Sequence, residues 1–462
     1  MGHMQHLLFN VGLALHIVWT NHVDACVTRI QTNSTSGRNP LTSGFADFVK
    51  DNLDYWHIPG MAIGVIDNND VFVEGYGLSA LPDRKVTPDT LFYAGSTTKA
   101  QTAACLSSLI HSGSHEALAN KWSTNISSIL KDDFVLEDKW ATDHLTLDDA
   151  VSHRTGMPRH DRALTREKNG VPLSTKDIVR SMRDLPFVGE PRVKFHYNNY
   201  MYITLSYVIE TLTKKDLKQV MNELIWDPLG MNSTYLGLED AKKSQKDLAT
   251  GYNWNNVTGK HNEVTYMTLT DLTGSAAAIS NVRDYTKWIQ ALVNVTQHFP
   301  DDVLKDIRAP RIVETPNPKG YLDAWLYSLG WFRTLFQGRT MYRHTGEMVG
   351  FKSAVYWFPE EKYGFVLFAN SEQGLKAINP VSWRLIADKF DIPAEEIADN
   401  KFRHVFGDYW MACEELLANR DEWTDFHLAE FVKGDDGKPA ALTMKMTQDG
   451  EVEATVTFDK TT

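Results

Sequence analysis

The sequence predicts a mixed α/β (α+β) domain, and three observations carry that expectation. Two apolar stretches, Met341–Phe358 and Tyr363–Ala369, flank the turn Pro359-Glu360-Glu361-Lys362 and read as antiparallel strands. Two others, Ala100–Ile110 and Ile203–Leu212, are rich in small and apolar residues and have helical length. The chain has 462 residues, 42% hydrophobic and 23% charged, which suits a large core with an appendage.

Taken in order, the chain begins with the apolar run Leu7–Trp19, too short to span a bilayer, followed by a polar stretch ending at Ala25. Residues 1–25 therefore read as a signal peptide, or as an apolar N-terminal segment packed on the body. Sequons at Asn33, Asn125, Asn232, Asn256 and Asn294 fit a secretory route, so a secreted protein is expected. Cys26, Cys105 and Cys413 lie too far apart to suggest a disulfide framework or a zinc site. A main domain is expected over 40–392, with a boundary near Pro393–Asn400. Residues 400–462 then form an appendage: an amphipathic helix at Phe402–Asn419 and a hairpin at Ala441–Phe458 around Asp449-Gly450. Two strands are not stable alone, so they pack on the main domain, on a second copy, or belong to a cut β-domain.

The net charge of −12 is spread without a basic block, which argues against nucleic acid and anionic membranes as partners. No glycine-rich phosphate loop or metal-ligand helix is present, so neither cofactor nor metal is expected. Nothing in the chain signals an oligomeric state.

The most chemical stretch is Phe92-Tyr93-Ala94-Gly95-Ser96-Thr97-Thr98-Lys99. If Ser96 opens a helix, Lys99 lies one turn on and on the same face. A serine hydroxyl needs a base to become a nucleophile, and a desolvated neutral lysine is one. The helix start also presents free N–H groups where negative charge develops. The apolar run that follows, with Gly113 as its stop signal, predicts the burial that such a lysine requires. A second Ser-x-x-Lys, Ser128–Lys131, lies in a charged, loop-like stretch and lacks that context.

Two further motifs follow in order. Tyr197 and Asn199 form a Tyr-x-Asn triplet at a helix start, where a phenol beside an ammonium can lose its proton and an amide can orient lysine or substrate. His344-Thr345-Gly346 lies in the strand pair. Its glycine permits close approach, and the N–H of Glu347 is placed to share an oxyanion hole with that of Ser96.

Ser-x-x-Lys, Tyr-x-Asn and His/Lys-Thr-Gly in this order resemble the serine β-lactamase and penicillin-binding-protein superfamily, and most closely its class C-like branch of esterases, D-aminopeptidases and acyltransferases. The phrases His57–Ala62, Ser152-His153-Arg154-Thr155-Gly156, Asp227–Met231, Gly274–Ala277 and Leu329-Gly330-Trp331 agree. The resemblance implies a β-lactamase-like fold, an antiparallel sheet flanked by helices with a helical lobe. It implies catalysis by Ser96, Lys99 and Tyr197, with Asn199, His344, Thr345, Gly346 and Glu347 binding substrate. It also implies that the C-terminal hairpin belongs to a small β-domain.

Two departures bear on substrate. His344 stands where a lysine would anchor a substrate carboxylate, and a neutral imidazole is a weaker anchor. Arg343 points to the other face of the strand and does not replace it. Neutral esters, lactones or amides are therefore expected in preference to penicillins. Arg192 stands where glycine is usual. Trp254, Tyr321, Trp325 and Tyr327 suggest an aromatic-walled acyl pocket. The alternatives are an acyltransferase of a secondary metabolite, a β-lactamase or D-peptidase, a non-catalytic binding protein, and a proton-transfer isomerase or cyclase.

Overall fold

Helix α1 (Ser43–Tyr55) starts at Thr42, whose hydroxyl accepts the Phe45 N–H at 3.2 Å. Its Phe45, Val49 and Leu53 recur every four residues and are buried together, each contributing roughly 1.5–3 kcal/mol. The computed structural model describes residues 39–164, 167–168, 171–267, 273–316, 322–393, 427–433, 439–448 and 451–459. The N-terminal apolar run and the helix expected at Phe402–Asn419 lie outside these residues.

After α1 come β1 (Gly60–Asp67), β2 (Asp70–Ala80) and β3 (Arg84–Lys85), then α2 (Thr98–Ser112), α3 (Asn199–Thr213) and α4 (Val282–Leu292). The chain then builds β4 (Ile312–Thr315), β5 (Trp325–Tyr327), β6 (Phe332–Phe336), β7 (Arg339–Met348), β8 (Phe351–Phe358) and β9 (Tyr363–Ala369), and closes with α5 (Gly374–Phe390). These nine strands form one antiparallel sheet in the order β4-β5-β6-β7-β8-β9-β1-β2-β3. The stretches Met341–Phe358 and Tyr363–Ala369 supply three strands at its centre, β7, β8 and β9, with Tyr342 opposite Trp357 and Val355 opposite Val366.

Both faces of the central strands are buried, because alternate residues serve two cores. Ala354, Tyr356 and Phe358 of β8 pack with α1 and α5. Val355 and Trp357 join a larger core with α2, α3 and α4. The helical lobe belongs to this second core, and the site forms where it meets the sheet. At the other end of the chain, β10 (His427–Lys433), β11 (Pro439–Gln448) and β12 (Glu451–Asp459) make a separate antiparallel sheet. Its antiparallel β11–β12 pair corresponds to the expected hairpin, and β10 adds a third strand.

Candidate active site

Ser96 sits in a tight turn, Gly95–Thr97, that runs directly into α2, and the helix ends at Gly113 in the left-handed conformation. Lys99 follows one turn later and is fully buried. Its Nζ lies 3.1 Å from Ser96 Oγ, 2.7 Å from Asn199 Oδ1 and 2.8 Å from the Ser275 carbonyl oxygen. The latter two atoms can only accept. A neutral lysine that turns its two N–H groups toward them aims its lone pair at Ser96. Burial, and secondarily the Arg159 cation, hold the Lys99 pKa well below the ordinary lysine value, with Asp161 opposing. The neutral form is thus the favoured one.

Tyr197 completes the group. Its hydroxyl is hydrogen-bonded to Ser96, and its ring lies 4.8 Å from Lys99 Nζ. Burial raises the phenol above its usual range despite Ser96 and Arg159, so Tyr197 stays protonated. Asn199 bridges Lys99 and Asp161, its Nδ2 donating to Asp161 Oδ1 at 2.9 Å.

The third motif meets the serine turn edge-on. Gly95 has φ +56°, and a Cβ there would come within 2.7 Å of the Glu347 nitrogen. A Cβ on Gly346 would meet the Ala94 carbonyl, which also accepts from Ser353 Oγ at 2.7 Å. The backbone of Gly346-Glu347 thus lies against Gly95-Ser96. The exposed Glu347 carboxylate is 3.3 Å from Lys352 Nζ, which also pairs with Glu372 at 2.8 Å.

His344 occupies a different place from the one its motif suggested. It is 2% exposed, and its Nδ1 and Nε2 face the Thr345 carbonyl at 2.6 Å and the Tyr327 hydroxyl at 3.2 Å. Burial pushes its pKa down to about 3. A neutral ring that donates from Nδ1 accepts from Tyr327 at Nε2, so both nitrogens are occupied within the protein. His344 forms the floor under Tyr197, with ring centroids 6.1 Å apart, and Thr345 holds that floor through its carbonyl.

The aromatic wall also differs from expectation. Tyr327 is fully buried behind His344, and Trp325 belongs to the core on the other face of the sheet, stacked on Arg343 at 4.6 Å. Trp254 stacks on His57 at 3.9 Å, and Tyr321 lies outside the described residues. Adjacent strand residues face opposite sides, which separates Arg343 from His344 as expected. Ser128 and Lys131 are both exposed, and the Ser128 hydroxyl donates to the Asn125 carbonyl of its own turn.

Several contributors were missed in the sequence. Asn198 caps α3 through Met201 N–H at 3.0 Å, and its Nδ2 donates to the carbonyls of Met157 and Pro158. This ties the loop carrying Arg159 and Asp161 to the helix start, and an asparagine before an apolar helical run is a readable cap signal. His153 is buried with Nδ1 accepting from Asn198 N–H at 3.0 Å and its ring 4.3 Å from that of Tyr197. Burial, with the Arg159 cation, keeps it neutral. Arg192, unexplained by sequence, adopts φ +73° and binds buried Asp149 through Nε and Nη2, at 3.0 and 2.8 Å.

A buried lysine touching a serine hydroxyl, with a protonated tyrosine alongside, where a helical lobe meets an antiparallel sheet, is the arrangement of a class of serine hydrolases. The Beta-lactamase family profile matches residues 45–387. The chain belongs to that family. It is 41% identical over 366 residues to the unguisins hydrolase of Aspergillus campestris, covering 78% of this chain and 68% of that one. The unguisins hydrolase of Aspergillus violaceofuscus is 38% identical over 379 residues, covering 78% and 67%. Among solved structures, the octameric penicillin-binding protein homologue of Pyrococcus abyssi superposes with a TM-score of 0.68 at 17% identity, covering 91% and 96% of the two chains. The D-amino acid amidase of Ochrobactrum anthropi SV3 superposes with a TM-score of 0.61 at 19% identity, covering 76% and 99%. These two likenesses describe the fold.

Proposed function

We propose that this protein is a serine hydrolase that opens an amide, ester or lactone bond of a neutral substrate through an acyl-Ser96 intermediate. The observation that carries the reading is the set of contacts at Lys99 Nζ, which commits two donors to carbonyl oxygens and leaves the lone pair for Ser96. Lys99 takes the Ser96 proton as Oγ bonds to the substrate carbonyl carbon. The N–H groups of Ser96 and Glu347 hold the oxyanion. As the intermediate collapses, the carbon–nitrogen or carbon–oxygen bond breaks and the Tyr197 hydroxyl passes a proton to the departing group, regaining one from Lys99. Water then attacks the acyl group by the same route in reverse.

The choice of substrate class rests on two supports. The unguisins hydrolases are similar over most of this chain, which makes unguisins the first compounds to test. His344, neutral and internally bonded, offers no cationic anchor for a carboxylate.

The test combines unguisins, a p-nitrophenyl ester and nitrocefin with wild type and Ser96→Ala, while intact mass is recorded during turnover. The expected result is hydrolysis of the first two by wild type only, with an acyl adduct on Ser96. Equal rates in both proteins and no adduct would sink the reading. Preferred turnover of nitrocefin would sink the substrate class alone.

A further inference from the structure

Beyond the three motifs, a half-exposed ion pair stands beside the site. Arg159 Nε lies 2.8 Å from Asp161 Oδ2, and the Arg159 guanidinium is 5.1 Å from the centre of the Tyr197 ring. The other oxygen of Asp161 accepts from Asn199 Nδ2 at 2.9 Å. A continuous chain of contacts therefore runs Arg159, Asp161, Asn199, Lys99, Ser96.

The middle link is an amide, and an amide has two faces. A carboxylate only accepts, so Asp161 draws the NH₂ of Asn199 and turns its oxygen to Lys99. Were the amide reversed, its NH₂ would face the neutral amine and capture the lysine lone pair. Lys99 would then direct an N–H at Ser96 and be spent as a base. The loop holds Asp161 where it can set this direction, since Asn198, adjacent to Asn199, anchors it through the carbonyls of Met157 and Pro158.

We propose that Asp161, held by Arg159, is a positioning residue that locks the Asn199 amide so that the Lys99 lone pair faces Ser96. The proposal rests on the acyl-serine reading above. It also predicts opposite electrostatic effects of the two partners on Lys99. The groups facing Lys99 are Ser96, Asn199, the Ser275 carbonyl, the rings of Tyr197 and Tyr202, and the charges or dipoles of Arg159, Asp161, His153 and His344. Both histidines are held neutral by burial, so Arg159 and Asp161 are the charged partners among them.

The experiment follows acylation by a p-nitrophenyl ester in stopped flow across pH, for wild type, Ser96→Ala, Asp161→Asn and Arg159→Gln, with thermal melting of each. Asp161→Asn is close to isosteric and lets the Asn199 amide take either orientation. It is expected to slow acylation about 10- to 100-fold, the scale of a misplaced catalytic group, with KM little changed. Its acid limb should move to lower pH, because the charge that raises the lysine value is gone. Arg159→Gln should move the limb to higher pH. Acylation by Asp161→Asn at the wild-type rate overturns the lock while leaving the acyl-serine reading intact if Ser96→Ala is inert. Activity in Ser96→Ala overturns both. If Asp161→Asn fails to melt cooperatively, the acylation rate of Arg159→Gln decides: slower acylation supports the lock, because Asp161 is then no longer held, and the wild-type rate overturns it.

Discussion

At the scale of the residue, the decisive feature is a lysine kept from water. Exposed, Lys99 would be an ammonium with three donors and no lone pair. Buried, it has two acceptors to satisfy and a serine left over. Lys99→Met retains most of the side chain's bulk and removes the base. We expect acylation to fall about 10²- to 10⁴-fold, the usual range for a positioned general base, measured by stopped flow with a p-nitrophenyl ester. Because burial lowers the lysine value, activity should be present near neutral pH. It should decline as pH falls through that lowered value, since protonation removes the lone pair. A rate that rises only toward the ordinary lysine value of about 10.4 would show that Lys99 is charged at rest.

At the scale of the element, function depends on how closely two backbones approach. The turn before α2 and strand β7 meet at Gly95 and Gly346-Glu347 with no room for a side chain between them. Gly95→Ala places a methyl against the Glu347 nitrogen and forces a left-handed residue to carry a Cβ. We expect the oxyanion site to open and kcat to fall about 10²- to 10³-fold, the cost of one lost donor, with substrate binding much less affected. Steady-state kinetics separating kcat from KM would check this. Unchanged kcat would remove the Glu347 N–H from the mechanism.

A second element-scale feature is the Asp149 clamp. Asp149 is wholly buried, yet it accepts from Arg192, Thr146 and Arg154. Burial alone would push its carboxyl up, but these bonds win and hold it below the usual carboxylate range. Such a group stabilises the fold above the unfolded carboxyl value, near 3.9, and loses that contribution as pH falls through the folded value. Asp149→Ala should therefore cost about 3 kcal/mol at pH 7, seen as a lower urea midpoint, and the gap from wild type should narrow only in strong acid.

At the scale of the whole molecule, the sheet and the helical lobe must dock tightly for the site to exist. Gly330, in the turn between β5 and β6, has φ +72°, and a Cβ on it would come within 2.6 Å of the Ala100 backbone. That contact seats the sheet against the helix carrying Ser96 and Lys99. Gly330→Ala should therefore reduce stability and activity together, checked by thermal melting beside ester hydrolysis. A variant that melts like wild type and turns over normally would show that the seat is not needed.

What the sequence determined by itself is local. The helix after Ser96, its stop at Gly113, the strands around His344 and the Ser96–Lys99 spacing all follow from composition, periodicity and end signals within a dozen residues. Ser96, Lys99, Tyr197 and Asn199 were legible because each motif places its own members on one helix face or at one helix start. Only the tertiary structure decided what depends on residues far apart in the chain. Trp325 went to the opposite core and Tyr327 behind His344, because strand alternation assigns faces and packing assigns depth. His344 became a floor with both nitrogens occupied, once Tyr327 and the Thr345 carbonyl closed around it. Arg159 and Asp161 gained a place beside Asn199 through the anchoring of their loop by Asn198. Direction and burial of a polar group come from its neighbours in space, and a linear pattern holds only its neighbours in sequence.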